Sequence, residues 1–139
     1  MKVLLLLLMF SVVGAAQSRD DLKKKYGNPI SETFLVRPGI AVTASHNETG
    51  KITELMISPL VTALIKSKGN GLTRDVLENL IDELVPPSER GTPQIGGFLN
   101  VACLPENDCY GSYNSYANLI IYYNAGKSGN VNYVVIQWK

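Results

Sequence analysis

The sequence predicts an α+β domain in which an antiparallel sheet of about five strands carries two or three helices packed on one face. Two runs rich in Ile, Val and Tyr flank the polar segment 124–130, a pattern typical of a β-hairpin. Residues 73–85 repeat apolar side chains at helical spacing. A helix followed by strands is predicted twice, in residues 18–58 and 72–139, and this order suggests a tandem α-β-β repeat.

The C-terminal hairpin is predicted to lie at the centre of the sheet. Its second run is apolar on both faces, with Val131, Tyr133 and Val135 on one face and Val134, Ile136 and Trp138 on the other. A strand with one face in water should alternate more cleanly between apolar and polar residues. Both faces of this strand are therefore expected to be covered, at least in part.

The first element is a predicted helix between Ser18 and Gly27. Ser18 is a helix-capping residue, and Asp21 occupies the position of the acid in a capping box. Three lysines gather near the C-terminal end, where positive charge is favourable. A short strand at residues 33–37 follows this helix.

A hairpin is predicted next from the segments 40–45 and 51–57. Gly50 stands at the turn position that favours a positive φ. Ser58 and Pro59 then predict the start of another helix, because a capping residue followed by proline is typical of a helix N-terminus.

The most strongly amphipathic helix is predicted over residues 73–85, with Thr73 as its N-cap and the two prolines that follow as its end. Residues 88–97 are predicted to form a polar loop, and residues 98–103 a strand.

Residues 1–16 are typical of a cleavable signal peptide, since they combine a basic start, an apolar run and small residues before a polar one. The alternative is a membrane anchor, but the apolar run is shorter than the roughly 20 residues that span a bilayer. We therefore expect a single α+β domain at residues 17–139, a secreted or periplasmic location and no membrane span in the mature chain.

Charge argues against nucleic acid as a partner. Without residues 1–16, which contain one lysine, the chain carries 12 basic and 12 acidic side chains. No basic stripe is present to neutralise phosphates. The sequence predicts no nucleic-acid binding.

The two cysteines, Cys103 and Cys109, are close enough in sequence to form a local disulfide in an exported protein. A bridge over so short a loop contributes roughly 2 kcal/mol and would fix the loop rather than the whole fold. The alternative is a redox pair, which more often has the Cys-x-x-Cys spacing.

No catalytic residue, metal ligand or cofactor is predicted. His46 is the single histidine, but no nucleophile motif accompanies it, and Glu48 is the one acid close to it in sequence. The acids of the 73–85 helix lack the alternating spacing of a calcium loop and are expected to face solvent. Glu106 and Asp108 lie between the two cysteines and form a weak alternative calcium site.

Asn47 begins the sequence Asn-Glu-Thr, an acceptor for N-glycosylation if the host is a eukaryote. The alternative is an ordinary turn.

The segment 110–116 mixes tyrosine with Gly, Ser and Asn, a composition that binding loops favour. The predicted binding residues are Tyr110, Tyr113, Asn114 and Tyr116, on a loop held by the adjacent disulfide. The alternative is that these tyrosines pack at the edge of the sheet and close the core.

The stretch from Ser18 to Pro29, a helix that ends in Tyr-Gly-Asn-Pro before strands, resembles the small outer-membrane assembly lipoproteins of bacteria. It is also similar to the tandem fold of secreted beta-lactamase-inhibitor proteins. This resemblance implies a protein that binds other proteins and has no catalytic residues. The sequence departs from the lipoproteins because it has no cysteine for a lipid anchor. The whole chain also resembles secreted bacterial proteins of unknown function.

The function predicted from these observations is an exported binding module that recognises a protein or a glycan. Two alternatives are a structural component of the cell envelope and a small secreted enzyme. The site of such an enzyme would be built from tyrosines and acids, with contributions from Glu89, Arg90, Glu106 and Asp108. A pocket of converging ionisable groups would favour an enzyme, whereas an exposed tyrosine surface would favour a binder.

Overall fold

A computed structural model describes residues 18–60, 72–99, 109–126 and 130–139, without the side chain of Cys109. The helices in these ranges are α1 (Arg19–Tyr26), α2 (Arg74–Leu84) and α3 (Pro87–Arg90). The strands are β1 (Ser31–Arg37), β2 (Ile40–His46), β3 (Ile52–Pro59), β4 (Gly97–Leu99), β5 (Cys109–Ser115), β6 (Leu119–Gly126) and β7 (Val131–Trp138). The predicted signal peptide, most of the helix predicted after Pro59, and Cys103 with the acids that follow it lie outside the described residues.

The strands form one antiparallel sheet of seven, in the order β1-β2-β3-β7-β6-β5-β4. Strands β1 to β3 follow one another as a meander, strands β4 to β7 form a second meander, and the two join where β3 pairs with β7. The prediction that the C-terminal hairpin lies at the centre is confirmed, because β7 is the middle strand. The α+β class is also confirmed, but the prediction of about five strands in α-β-β units is wrong.

Helix α1 begins and ends as its sequence predicts. The Ser18 side chain accepts a hydrogen bond from the backbone of Asp21, and the Asp21 carboxylate accepts one from the backbone of Ser18. The Asp21 carboxylate also accepts a hydrogen bond from the Ser18 hydroxyl at 2.8 Å, and this bond, followed by the one from the Ser18 backbone, lowers the pKa of Asp21. Gly27 ends the helix at a φ of 90°. No residue of α1 is buried, so the prediction that the helices share one face of the sheet is wrong.

Helix α2 supplies the cover for the sheet. Its buried side chains Leu77, Leu80 and Ile81 belong to the same apolar cluster as the buried residues of β2, β3, β6 and β7. Fully burying such a side chain stabilises the fold by about 1.5–3 kcal/mol. The N-cap prediction was wrong in one respect, because the Thr73 side chain makes no capping hydrogen bond.

Three segments differ from their predicted secondary structure. Ser58 and Pro59 end β3 and do not begin a helix, since Ser58 pairs with Ala41 and Pro59 with Ile40. Part of the loop predicted at 88–97 is instead the short helix α3. The tyrosine-rich segment predicted as a binding loop is strand β5, paired along its length with β6.

The segment after α2 is fixed to the turn between β5 and β6 by the polar groups of α3. The Asn118 backbone N–H donates to the Arg90 carbonyl at 3.0 Å, and the Asn118 side-chain amide donates to the Glu89 carbonyl at 2.9 Å. Arg90 is 9% exposed and donates to the Val85 carbonyl at 2.9 Å and to the Asp82 carboxylate at 2.5 Å. Its guanidinium also lies 5.8 Å from the centre of the Tyr116 ring. Arg90 therefore connects the end of α2 to the sheet.

No helix within the described ranges is long and apolar enough to cross a membrane.

Candidate binding surface on the sheet

The two faces of the sheet differ in what covers them. The face under α2, here called the helix face, carries the apolar cluster of β2, β3, β6 and β7. The opposite face is here called the tyrosine face. Strand alternation decides which residues lie on it, because side chains next to one another along a strand point to opposite faces. Its buried positions are small or polar residues: Ala41, Gly111, Ser115 and Asn124.

Four side chains form a line across the middle of the tyrosine face, here called the tyrosine row. Met56 pairs with Val135, Val135 with Tyr122, and Tyr122 with Tyr113. Residues directly opposite each other in antiparallel strands point to the same face, so the four side chains are neighbours. The tyrosine row crosses four strands and extends over about 14 Å at the usual strand spacing.

The two tyrosines of the row contact each other and remain accessible. Their ring centroids are 6.2 Å apart, and the ring planes are tilted by 41°, within the range of favourable aromatic pairs. Tyr113 and Tyr122 are half-buried, and Met56 is 36% exposed. Gly111 and Ser115 flank Tyr113 on the same face of β5, so the neighbours along the strand are small. The row therefore presents aromatic surface to solvent.

Gly97 of β4 gives the Tyr113 ring its position. A methyl group at Gly97 would lie 3.0 Å from Tyr113 Cε1 and 3.1 Å from the Tyr113 hydroxyl oxygen. The ring therefore lies against the backbone of the neighbouring strand, where a larger residue would displace it. Gly96 allows the backbones themselves to approach, since a methyl group there would lie 2.5 Å from the Tyr113 carbonyl oxygen.

The four predicted binding residues do not form one surface. Tyr113 lies on the tyrosine face, whereas Tyr110, Asn114 and Tyr116 alternate with it and lie on the helix face. Tyr116 is half-buried against the apolar cluster and under the Arg90 guanidinium. Tyr110 is 49% exposed. Strand alternation thus separates residues that a loop would have brought together.

Tyr123 lies on the helix face, in contact with the apolar cluster. Burial raises its pKa, and the neighbouring Tyr116 adds to the increase, while a hydrogen bond with Asn114 opposes it. A tyrosine whose folded pKa is raised keeps its proton at a pH where the unfolded chain has released it. Its contribution to stability is therefore complete below about pH 10 and is lost as the pH rises through the folded pKa.

We expect the free energy of unfolding to fall more steeply above about pH 10 in the native protein than in the Tyr123→Phe variant, because phenylalanine has no proton to lose. Urea unfolding across the alkaline range measures the difference. Tyr133→Phe, at a side chain that is 40% exposed, is the matched control. Parallel pH curves for the native protein and Tyr123→Phe would contradict the assignment.

His46 lies at the end of β2 beside a shallow polar groove. The groove is lined by Arg19 and Lys23 of α1, by Glu32, and by the turn that contains Asn47 and Glu48. Arg19 forms an ion pair with Glu32. The Asn47 side-chain oxygen accepts hydrogen bonds from Thr49 N, Thr49 Oγ1 and Lys51 N at 3.0, 2.7 and 2.9 Å. Through these hydrogen bonds, Asn47 stabilises the turn between β2 and β3. The glycosylation of Asn47 stays a prediction.

Of the four charged residues suggested for an enzyme, the structure describes Glu89 and Arg90. Arg90 is held by Val85 and Asp82, as described above, and Glu89 is exposed at the surface of α3. Glu106 and Asp108, and the predicted disulfide through Cys103, lie outside the described residues. Among the side chains that the structure describes, no group of three His, Cys, Asp or Glu residues is placed to hold a metal ion.

Three residues of the tyrosine row, Met56, Tyr122 and Val135, were not predicted as a site. Their signal in the sequence is alternation, because Tyr122 and Val135 each stand between residues of the opposite face. The register that aligns them across three strands becomes visible only in the sheet itself.

Among known proteins, only the search of solved structures gives a match to this chain. No family model and no curated protein matches the chain. A crystal structure of a DUF4309 family protein, YjgB from Bacillus subtilis, matches with a TM-score of 0.41 and 13% sequence identity, over 90% of this chain and 80% of that one.

Proposed function

We propose that this chain is an exported glycan-binding module and that the tyrosine row holds the ligand. The observation that carries the proposal is the pair Tyr113 and Tyr122, side by side on an accessible sheet face. Sugar rings have apolar faces and polar edges, and tyrosine offers both an apolar ring and a hydroxyl group. Export is expected from the signal peptide predicted in residues 1–16.

The surroundings of the row favour a glycan over a protein. The neighbouring cross-strand line contains Ser45, Glu54 and Gln137, whose polar groups suit hydrogen bonds to sugar hydroxyls, and it continues through Ile120. A stable protein interface buries about 800 Å² on each partner around an apolar centre. Beside the row, the apolar side chains on this face are Ile120, Tyr133 and Leu99, and the other neighbours are small or polar. This mixed surface matches an extended oligosaccharide better than the continuous apolar patch that a protein partner needs.

The test is isothermal titration of the purified protein with neutral hexasaccharides: cellohexaose, xylohexaose, maltohexaose and chitohexaose. We expect one of these classes to bind, and we expect Tyr113→Ala and Tyr122→Ala each to weaken that binding about tenfold, as loss of an aromatic contact worth about 1.4 kcal/mol would do. Gly97→Ala should also weaken binding, because its methyl group displaces the Tyr113 ring.

Tyr110→Ala is the matched control, since it removes the same side chain from the same strand on the opposite face. Equal losses for Tyr110→Ala and Tyr113→Ala would contradict a site on the tyrosine row. If none of the four oligosaccharides binds, the glycan assignment fails, and a protein ligand for the same row becomes the next hypothesis.

A further inference from the structure

Among the strands that the structure describes, β1 is an edge of the sheet with an outward row of backbone groups. It pairs with β2 on one side and is the first strand in the sheet order. The His46 N–H donates to the Ile30 carbonyl, which makes Ile30 and His46 a hydrogen-bonded pair. Since such pairs alternate along an antiparallel ladder, the backbone groups of Ser31, Thr33 and Leu35 point away from β2.

The side chains of β1 do not protect this edge. Phe34 is 52% exposed on the helix face and Leu35 is 64% exposed on the tyrosine face. Natural edge strands are usually protected by charged residues or proline within the strand. The two charged residues of β1 are engaged within the chain, Glu32 with Arg19 of α1 and Arg37 with Glu83 of α2.

The strand is self-complementary about its centre. Phe34 is the middle residue of Ser31–Arg37, so a second copy laid antiparallel about Phe34 pairs with the regular part of the strand from Thr33 to Leu35, before the irregularity between Leu35 and Arg37. This register pairs the outward backbone groups of Thr33 with those of Leu35 in the second copy, and it places the two Phe34 rings opposite each other.

We propose that two copies of this chain pair through their β1 edges, centred on Phe34, and form one continuous sheet of fourteen strands from two sheets of seven. The partner is a second copy because the outward backbone groups of Thr33 and Leu35 lie symmetrically about Phe34, so one register satisfies both copies and brings the two exposed Phe34 rings together. The pairing does not depend on the tyrosine row, which crosses β3, β7, β6 and β5.

Disulfide trapping of Phe34→Cys tests the register. In the proposed register the two Phe34 residues are a non-hydrogen-bonded pair. Their Cα atoms therefore lie about 4.5 Å apart, within the range that a disulfide bridges. We expect most of the oxidised variant to be a covalent dimer, in which mass spectrometry identifies a disulfide between the two peptides that carry the substitution. Phe98→Cys is the control, because Phe98 lies on the opposite edge strand and is 85% exposed.

Sedimentation of the native protein tests the association itself. We expect a mass of two copies, and we expect Leu35→Lys to weaken the association at least tenfold, whereas Phe98→Lys leaves it unchanged. A native protein that sediments as a single copy up to about 1 mM, the weak end of specific affinities, would overturn the proposal. Equal trapping of Phe34→Cys and Phe98→Cys would also overturn it, because random collisions would then explain both links.

Discussion

Replacing Gly91 with alanine should lower the free energy of unfolding by about 3 kcal/mol, because backbone strain and steric overlap act together. Gly91 has a φ of 80° and a ψ of −172°, a conformation that only glycine adopts easily. The added methyl group would lie 2.9 Å from Ala117 Cβ and 3.1 Å from Asn118 Cγ. The segment would have to move away from the β5–β6 turn and lose the hydrogen bond between Asn118 and Arg90. Urea unfolding of the two proteins measures the loss.

Gly27→Ala is the control for backbone strain. Gly27 has a similar conformation, with a φ of 90° and a ψ of −169°, but a methyl group there would have no atom within 4 Å. Helix α1, which Gly27 ends, has no buried residue, so it can adjust without disturbing the core. We expect the loss for Gly27→Ala to be much smaller than for Gly91→Ala. Equal losses would mean that steric overlap at Gly91 is unimportant.

Arg90→Met should cost about 2–3 kcal/mol, mainly because the Val85 carbonyl loses its charged donor in a buried environment. Methionine keeps much of the apolar stem of arginine, so the loss reports on the guanidinium. Arg90→Lys should recover little of the loss, since an ammonium group cannot bond to Val85 and Asp82 with the same fixed geometry. Chemical unfolding of both variants checks the order.

Asp82→Asn separates the ion pair from the buried hydrogen bond. The Asp82 side chain is 58% exposed, so solvent screens its attraction to Arg90, and we expect the variant to lose less than about 1 kcal/mol. A loss for Asp82→Asn as large as that for Arg90→Met would show that the ion pair, and not the contact with Val85, holds α2 to the sheet.

Local sequence patterns predicted the elements that depend on neighbouring residues. The capping box of α1, the turn at Gly50 and the apolar stripe of α2 all involve residues within a few positions of one another. The fold as a whole depends on pairings that no local pattern contains. Strand β4 has only three residues, and Ser58 with Pro59 has the same sequence pattern as a helix start although it ends β3.

The candidate site was predicted only in part, for a related reason. Composition singled out the tyrosine-rich segment, and Tyr113 of that segment belongs to the proposed site. Composition does not distinguish a loop from a strand, however, and a strand sends alternate side chains to opposite faces. The other members of the tyrosine row come from β3, β6 and β7, and they reach it through register alone.

The junction between β3 and β7 also bears on how fast the chain folds. Within each half, the paired strands are close in sequence, so each meander can form by closing short loops. At the junction, Leu55 pairs with Ile136, which lies 81 positions later in the chain. Contacts of such high contact order are entropically expensive to close and slow folding. We therefore expect the two meanders to organise early and the sheet to become continuous in a later step that brings together the first and last thirds of the domain.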